Sequence, residues 1–544
     1  MGALSVVQNL FGRRNSGLGV DLQRPAPSAR YMQDGRGTIF SRWTPGLRSA
    51  QDDVVNSWER ATARTVDLAH NSGWISGMID QATANTVGLG LRLRAMPEND
   101  LIGMSEEDAQ EWRKLVEARF ELWFDNPLEC DVEGTRTGAE MQEAVFKHWF
   151  ATGEIFGEVV WRERPYSSTG TKVRLLSSSR IVNRTDTFRR IYGGVRVDSD
   201  GMPISYITKK DDPLIGEREI EVPARDVMGR PRVIHVFQGA PGQKRGITPL
   251  APVLKVAKQF DQLSDATLMA SIIQTVFAAS IKAEGPTEET LRTLLGPQEH
   301  ARALSEGMSP FDAWFEAQSG WSEAHPIDVG VSGRIAHLFP GETLEFHSPE
   351  QPQASYRDFS LHLLREMARC LGLTYESATG DYEGATYSSV RMAVNEIYAI
   401  TTARRKFILR PFLQPIYEAW LEEEIWRGTI PFPGGYENFL LNRAAACRAK
   451  WAGSPKPVAD DLKAAKSHEV YQSMGVISDQ MVADDLGVDI EDVYAQRARE
   501  KAMRQRYGLP ENKTVATIEN QAAVNDPGDP EEREEDDDNP NSGS

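Results

Sequence analysis

Two long segments of helical periodicity stand on either side of a mixed insert, and this arrangement frames the rest of the chain. In Thr248–Val276, Leu250, Leu254, Ala257, Phe260, Leu263, Thr267 and Ala270 fall on one face of a helix. At the α-helical rise such a segment reaches roughly 40 Å. In Gln353–Leu371, Tyr356, Phe359, Leu363, Met367 and Leu371 share a face. Ser355 and Asp358 have the spacing of a capping box, and Gly372 is the expected stop. The residues between, about 277–347, read as a small α/β insert. Phe277–Ala283 is a predicted strand, and Pro286 with Thr287 opens a short helix over Glu288–Leu295. An irregular stretch containing Trp and Phe runs to Gly333. Arg334–Phe339 and Glu342–His347 are predicted to form a hairpin across Pro340 and Gly341.

Directly after the second helix comes Leu371–Arg391, a connector rich in Gly, Ser, Thr and Tyr that joins two helical segments. It contains no metal-ligand set, no nucleophile–base pair and no phosphate cradle. Ser388 to about Trp426 reads as helical again, with Pro411 and Pro415 inside it. Each proline removes a backbone donor and favours a kink.

Upstream, residues 1–49 are rich in Gly, Arg, Pro and Ser and read as a flexible arm. Helical spacing begins near Asp52 with Val55, Trp58, Thr62, Thr65 and Leu68. It resumes after Asn71–Gly73 with Ile75, Met78, Ile79 and Ala82, and ends at Val87–Gly90. A third helix spans about Ser105–Phe124, with Ser105 as N-cap and Trp112, Leu115, Val116, Arg119, Leu122 and Trp123 as its stripe. Met141–Phe150 is helical, and from Gly153 to Phe237 the pattern is that of strands, including a hairpin over Arg190–Ile207 that turns at Asp198–Gly201. At the other end, three short helices should stop at Gly475, Gly487 and Gly508. Asp526–Asp538 carries nine acids against one Arg and should be disordered.

At 544 residues the chain exceeds one compact core. Its 40% apolar and 26% charged residues can bury sizeable cores, and the helix and strand patterns together read as an α+β, multidomain protein. Cys130, Cys370 and Cys447 are far apart and form no CxxC, which fits a reducing cytoplasm. No signal peptide is visible, and the longest apolar segment, Leu268–Ile281, is too short to span a bilayer. The net charge of −18 argues against tight reading of nucleic acid sequence, whereas a negative wall would keep sliding DNA centred.

The usual catalytic patterns are missing. Gly239–Gly246 has Gly and Lys but no GKS or GKT, His468–Gln472 lacks the second His of HExxH, and there is no GxSxG. Glu422–Glu424 is a cluster any acidic chain can contain. No catalytic residue, metal or cofactor is expected.

Several segments resemble the lambda-type portal proteins of tailed phages. The ThrGlyAspTyr…TyrSerSer…Arg pattern at Thr379–Arg391 is similar to that family's signature. So are Arg60–Arg64, Asn85–Leu91, Thr152–Phe156 preceded by Trp149, Gly194–Tyr206, Val233–Phe237 and Pro241–Val253. The run Trp451–Ala465 resembles a family segment too, although Asp461-Leu462-Lys463 lacks the Pro common there. The similarity spans about Arg60–Pro510 in collinear order.

The resemblance implies a portal fold assembled as a ring, the homododecamer of that family, at one capsid vertex. It assigns 1–49 to an arm, 50–247 to a wing, 248–276 and 348–372 to stem helices and 277–347 to a clip. It assigns 373–390 to a tunnel loop, 391–454 to a kinked helix and wing return, 455–510 to a helical crown and 511–544 to the acidic tail. It further implies non-specific passage of double-stranded DNA, with the terminase large subunit, major capsid and scaffold proteins, and adaptor or tail proteins as partners, no membrane, and assembly in the bacterial host cytoplasm. Thr379, Gly380, Asp381, Tyr382, Glu383, Gly384 and Tyr387 would line the channel: the glycines give backbone freedom, Asp381 and Glu383 repulsion, Tyr382 and Tyr387 bulk. Lys255 and Lys258 are candidate channel-facing stem residues. A terminase-like packaging enzyme and another ring-forming head–tail connector are the alternatives.

The acidic tail is almost free of apolar residues, so ordering it gains little burial against an entropic cost of about 1–2 kcal/mol per residue. Deleting Asn525–Ser544 should therefore leave assembly intact; light scattering on the truncated chain checks this, and loss of the oligomer would contradict it.

Overall fold

The computed structural model describes residues 46–212, 216–276, 279–283, 298, 301–302, 305, 307–324, 342–346, 353–457 and 461–510. The arm up to residue 45, the helix expected at Glu288–Leu295, the strand expected at Arg334–Phe339 and the tail from residue 511 lie outside the described residues. The fold is α+β.

Helices α1 (Ala50–Asn71) and α2 (Gly73–Thr86) meet at Ser72, whose extended backbone breaks the run. Ser49 caps α1, accepting from the Asp52 N–H at 3.1 Å. Strand β1 (Arg92–Ala95) follows, unanticipated from the sequence. Helix α3 (Glu106–Phe124) is capped by Ser105 as expected. Its buried face differs from the expected stripe: Leu122 is 76% exposed, and Phe120 is buried instead. Phe120 lies 5.0 to 5.9 Å from the rings of Phe124, Trp420, Trp123, Tyr417 and Trp451, so tertiary packing selects the helix face.

Helix α4 (Gly138–Thr152) starts in a Thr137–Glu140 capping box and leads into the antiparallel sheet of β2 (Glu154–Trp161), β3 (Thr171–Leu176) and β8 (Val233–Phe237), with β2 central. Between β3 and β8 lies a second sheet of β4 (Ile191–Tyr192), β5 (Val195–Val197), β6 (Pro203–Asp212) and β7 (Gly216–Pro223). The expected hairpin is β5–β6, pairing Val195 with Tyr206. The Asp198 carboxylate closes its turn by accepting from the Asp200 and Met202 N–H groups at 2.9 and 2.8 Å.

The first long helix is shorter than its periodicity suggests. Pro249 and Pro252 permit only a 3-10 turn at Ala251–Val253, and α5 runs from Leu254 to Val276. Strand β9 (Ala279–Ala283) follows it. The stretch expected to be irregular contains helix α6 (Pro310–Ala324). Its overlooked start signal is Ser309, which accepts from the Asp312 N–H at 3.2 Å, followed by Pro310 at the first helical position. Strand β10 (Glu342–Phe346) pairs antiparallel with β9, Phe346 opposite Ala279, rather than with any described residue of a local hairpin.

Helix α7 (Gln353–Leu371) is already under way at Ser355, so Ser355 and Asp358 are not its capping box. Phe359 is 53% exposed, and Leu363, Leu364, Met367, Ala368 and Leu371 form the buried face. Helices α5 and α7 run antiparallel side by side. The Ser264 and Tyr356 hydroxyls meet at 3.3 Å, and the Cys370 thiol donates to the Pro249 carbonyl at 3.1 Å.

Beyond α7 come α8 (Tyr375–Thr379), α9 (Tyr387–Arg404), a π turn at Arg405–Leu409 and α10 (Arg410–Trp426). The π turn absorbs Pro411: the Arg410 N–H reaches back five residues to the Arg405 carbonyl, and the wider turn makes room for a ring without an N–H. Helix α10 carries Phe412, Leu413, Ile416, Tyr417, Trp420 and Leu421, all buried in the central core. Glu422, Glu423 and Glu424 are buried too, each with its own partners. Glu423 accepts from the Gly170 and Thr171 N–H groups, both at 2.7 Å, Glu424 pairs with Arg119 at 3.2 Å, and Glu422 accepts from the Tyr436 hydroxyl at 2.9 Å. They are structural anchors of α10. Strand β11 (Ala449–Ala452) pairs with β1, and Leu93 and Trp451 join the same central core. Helices α11 (Asp461–Ser473), α12 (Asp479–Leu486) and α13 (Ile490–Tyr507) end near the three glycines expected to stop them.

One buried pair joins the sheets to the approach to α5. Glu154 and Arg245 have no exposed side-chain surface, and the guanidinium Nη2 donates to Oε1 at 2.6 Å and Nε to Oε2 at 2.9 Å. Arg245 Nη1 also donates to the Gly193 carbonyl at 2.6 Å, and the guanidinium lies 4.5 Å over the Trp58 ring. Adjacent backbones touch: a Cβ on Gly153 would fall 2.0 Å from the Ile247 carbonyl, and one on Gly246 would fall 2.2 Å from Gly153 O. Burial pushes the Glu154 carboxyl up, but Arg245, helped by the His235 hydrogen bond, overrides it and holds the group at about 2.

Breaking this pair from one side leaves a buried charge alone, so Arg245→Met and Glu154→Gln should each cost about 3–5 kcal/mol, and the double variant less than their sum. The depressed Glu154 value means that its contribution is complete above pH 4.5 and is lost as the pH falls toward 2. Denaturant midpoints across that window check both statements; additive costs, or no acid loss attributable to Glu154, would contradict them.

Candidate functional site

The connector after α7 is a short helix, a seven-residue loop over 380–386, and the start of α9. It is shorter than the expected 373–390 because two threonines cap helices inside that range. Thr374 accepts from the Ser377 N–H at 3.3 Å, and Thr386 accepts from the Ser389 N–H at 3.3 Å. The Thr-x-x-Ser spacing was the available signal. Thr379 is therefore the last residue of α8, and Tyr387 the first of α9.

The loop is shaped by its own hydrogen bonds. Gly380 (φ 70°) ends α8 and donates to the Glu376 carbonyl at 2.8 Å, and Gly384 (φ 74°) follows at the next turn. Both have open space where a Cβ would sit, so backbone sign alone selects glycine there. Asp381 accepts from the Tyr375 hydroxyl and the Glu383 N–H, both at 3.0 Å. These two donors, the backbone one first, hold its carboxyl below the usual range. Glu383 pairs with Arg357 of α7 at 2.8 Å. Thus the two carboxylates read as repulsive elements also shape and tether the loop. Tyr382 is 56% exposed.

The base beneath the loop is fixed by two consecutive arginines that the sequence did not reveal. Arg404 donates to the Leu371 carbonyl at 2.6 Å and lies over Phe150 at 5.1 Å; burial lowers it to about 10. Arg405 donates to the carbonyls of Thr86 at 2.8 Å, Ser454 at 2.9 Å and Asn85 at 3.2 Å. By contrast, none of the described side chains from Gly380 to Ile400 is buried. An anchored base therefore carries an uncovered tip. Beside it is a mainly apolar cavity of about 260 Å³ lined by Tyr382, Val390, Val394, Ile397, Tyr398 and Pro455 among others.

Lys255 and Lys258 are exposed on α5. Lys258 lies 3.9 Å from Asp261, and no contact among the described residues joins either lysine to the loop. No group of three or more His, Cys, Asp or Glu among the described residues could hold a metal ion, and no described helix is long and apolar enough to cross a membrane.

Residues 36–405 match the phage portal protein, lambda family. The chain belongs to that family. It is 28% identical over 484 residues to the portal protein of Escherichia phage N15, covering 87% of this chain and 90% of that protein. It is 28% identical over 485 residues to portal protein B of Escherichia phage lambda, covering 87% and 89%. Among solved structures, a chain of the neck of a native gene transfer agent particle computed with C12 symmetry aligns with a TM-score of 0.40 at 15% identity, covering 80% of this chain and 99% of that chain.

Arg357→Ala removes the ion pair between loop and α7. An exposed pair is worth up to about 1 kcal/mol, so amide exchange over 381–386 should quicken by at most about fivefold, with 401–425 unchanged. Hydrogen exchange read by mass spectrometry checks this; unaltered loop exchange would show that Glu383 does not tether the loop.

Proposed function

We propose that this portal protein forms a closed ring of about a dozen copies around a channel for duplex DNA at one capsid vertex. In this reading α5 and α7 are the stems, the residues between them the clip, 380–386 the tip of the tunnel loop, and α11–α13 the crown. The observation that supports it best is the loop 380–386, with no described side chain fully buried, on a base pinned by Arg404 and Arg405. A single chain gains nothing by leaving the loop tip exposed, whereas a ring can present it to its channel and its neighbouring subunits. Leu268 and Met269 on the far half of α5 are exposed too, which suits a helix with a neighbour on one side.

The ring would act without turnover. During packaging it would dock the terminase large subunit, and afterwards adaptor or tail proteins; scaffold and major capsid proteins would surround it during assembly in the host cytoplasm. DNA would pass non-specifically, with Tyr382 at the tip as the bulky contact. Gly380 and Gly384 permit a backbone that a β-branched residue resists.

The Gly380→Val/Gly384→Val variant tests the loop's part. Rings should still assemble, because a Cβ at either position would meet no described residue within 4 Å, while DNA-filled heads should fall relative to empty heads that contain the portal. Normal filling would make the loop a passive connector, and loss of rings would make it an assembly element.

A further inference from the structure

Helix α13 has no buried residue along its length, and its two halves differ in charge. The first half is tied down: Asp489 meets Arg94 at 2.9 Å and Glu491 meets Lys114 at 3.0 Å. The second half holds Arg497, Arg499, Lys501, Arg504 and Arg506 against one acid, Glu500. Glu500 is already engaged by the Gln496 amide at 3.1 Å. Arg497, Arg499 and Arg506 are exposed; Arg499 and Arg504 donate only to backbone carbonyls, of Ala495 and Pro510, at 3.4 and 3.3 Å. Among the described residues no carboxylate forms an ion pair with any of these four arginines. The helix macrodipole accounts for cations in the last turn, but not for Arg497 and Arg499. A concentrated basic surface is out of character for a chain of net charge −18.

The same chain supplies the complement. Asp526–Asp538 holds nine carboxylates and one arginine. Fifteen residues separate it from Pro510, which at full extension reach about 50 Å, while Arg497 to Arg506 covers about 14 Å of helix. The connection is thus long enough for the acidic segment to lie along the basic half of α13, of its own chain or of an adjacent copy. Single exposed ion pairs are weak, but several on a short tether act together at high effective concentration.

We propose that the basic half of α13 is the docking surface for the acidic C-terminal segment Asp526–Asp538, which covers these arginines and keeps duplex DNA off them. The phosphate backbone and the acidic segment compete for the same guanidinium groups. The inference goes beyond the portal role and does not depend on ring formation.

The test uses the intact chain, a chain ending at Val524, and Arg497→Gln/Arg499→Gln/Arg504→Gln/Arg506→Gln in the shortened chain. The probe is a labelled synthetic peptide of Asn525–Ser544, followed by fluorescence anisotropy. The shortened chain should bind the peptide with an affinity that falls as salt rises, the intact chain at least about tenfold more weakly because its own segment is in place, and the four-substitution chain not at all. Short duplex DNA should bind the shortened chain more tightly than the intact one, and the four substitutions should remove that gain. Glutamine is a good helix former and these arginines are unburied, so circular dichroism should be unchanged. The proposal is overturned if the peptide fails to bind the shortened chain at low salt, if binding survives the four substitutions, or if DNA binds the intact and shortened chains alike.

Discussion

A carboxylate and a guanidinium, both sealed from water, fix the junction on which the rest of the structure depends. Glu154 begins the central strand of one sheet, and Arg245 belongs to the segment that leads into the first long helix. Their hydrogen bonds, the Gly193 carbonyl and the Trp58 ring tie α1, both sheets and the approach to α5 at one point. Gly153 and Gly246 let the two backbones close to van der Waals contact around it. Burying two charges is costly, so such a pair gives little net stability over an apolar replacement. Its geometry, however, admits one arrangement of partners, and a hinge in that place would swing α5 and α7 relative to the sheets.

A second pair of charged residues does the same for the loop. Arg404 holds the end of α7, and Arg405 holds the end of α2 and the strand leading to the C-terminal helices. The buried anchors lie beneath the loop, while the loop's own ion pair, Glu383 with Arg357, is exposed. On the proposed reading, this lets the tip follow DNA while the ring keeps its shape, since a ring and a helical polymer of different symmetry cannot make the same contacts at every step.

Much of the fold was legible because it rests on local rules. Ser105 caps a helix, the Asn71–Gly73 segment breaks one, and Asp198–Gly201 turns a hairpin, all signals of short range that a sequence displays. What stayed hidden depends on distant partners. Strand β1 has four residues and exists by pairing with β11, more than three hundred residues away. Phe120 replaces Leu122 in the core because α10 brings Tyr417 and Trp420 against it. Helix α6 was missed for a different reason, since Ser309-Pro310 was a readable start. At the site, the glycines were read for backbone freedom and both lie at positive φ, but Asp381 was read as repulsion and its hold on the turn was missed, and Arg357, Arg404 and Arg405 carry no local pattern. The GlyGlu and ArgGly segments were visible as motifs, while their meeting as one ion pair was not.

The central claim is that 380–386 is the tip facing the axis of a ring. Electron microscopy of the assembled particle measures it most directly. The account predicts a closed ring in which this loop is the closest part of the chain to the axis, with Tyr382 toward the hole and Arg404 and Arg405 behind it. A closed ring with the loop on its outer surface or buried between subunits, or an absence of rings under all assembly conditions, would contradict it.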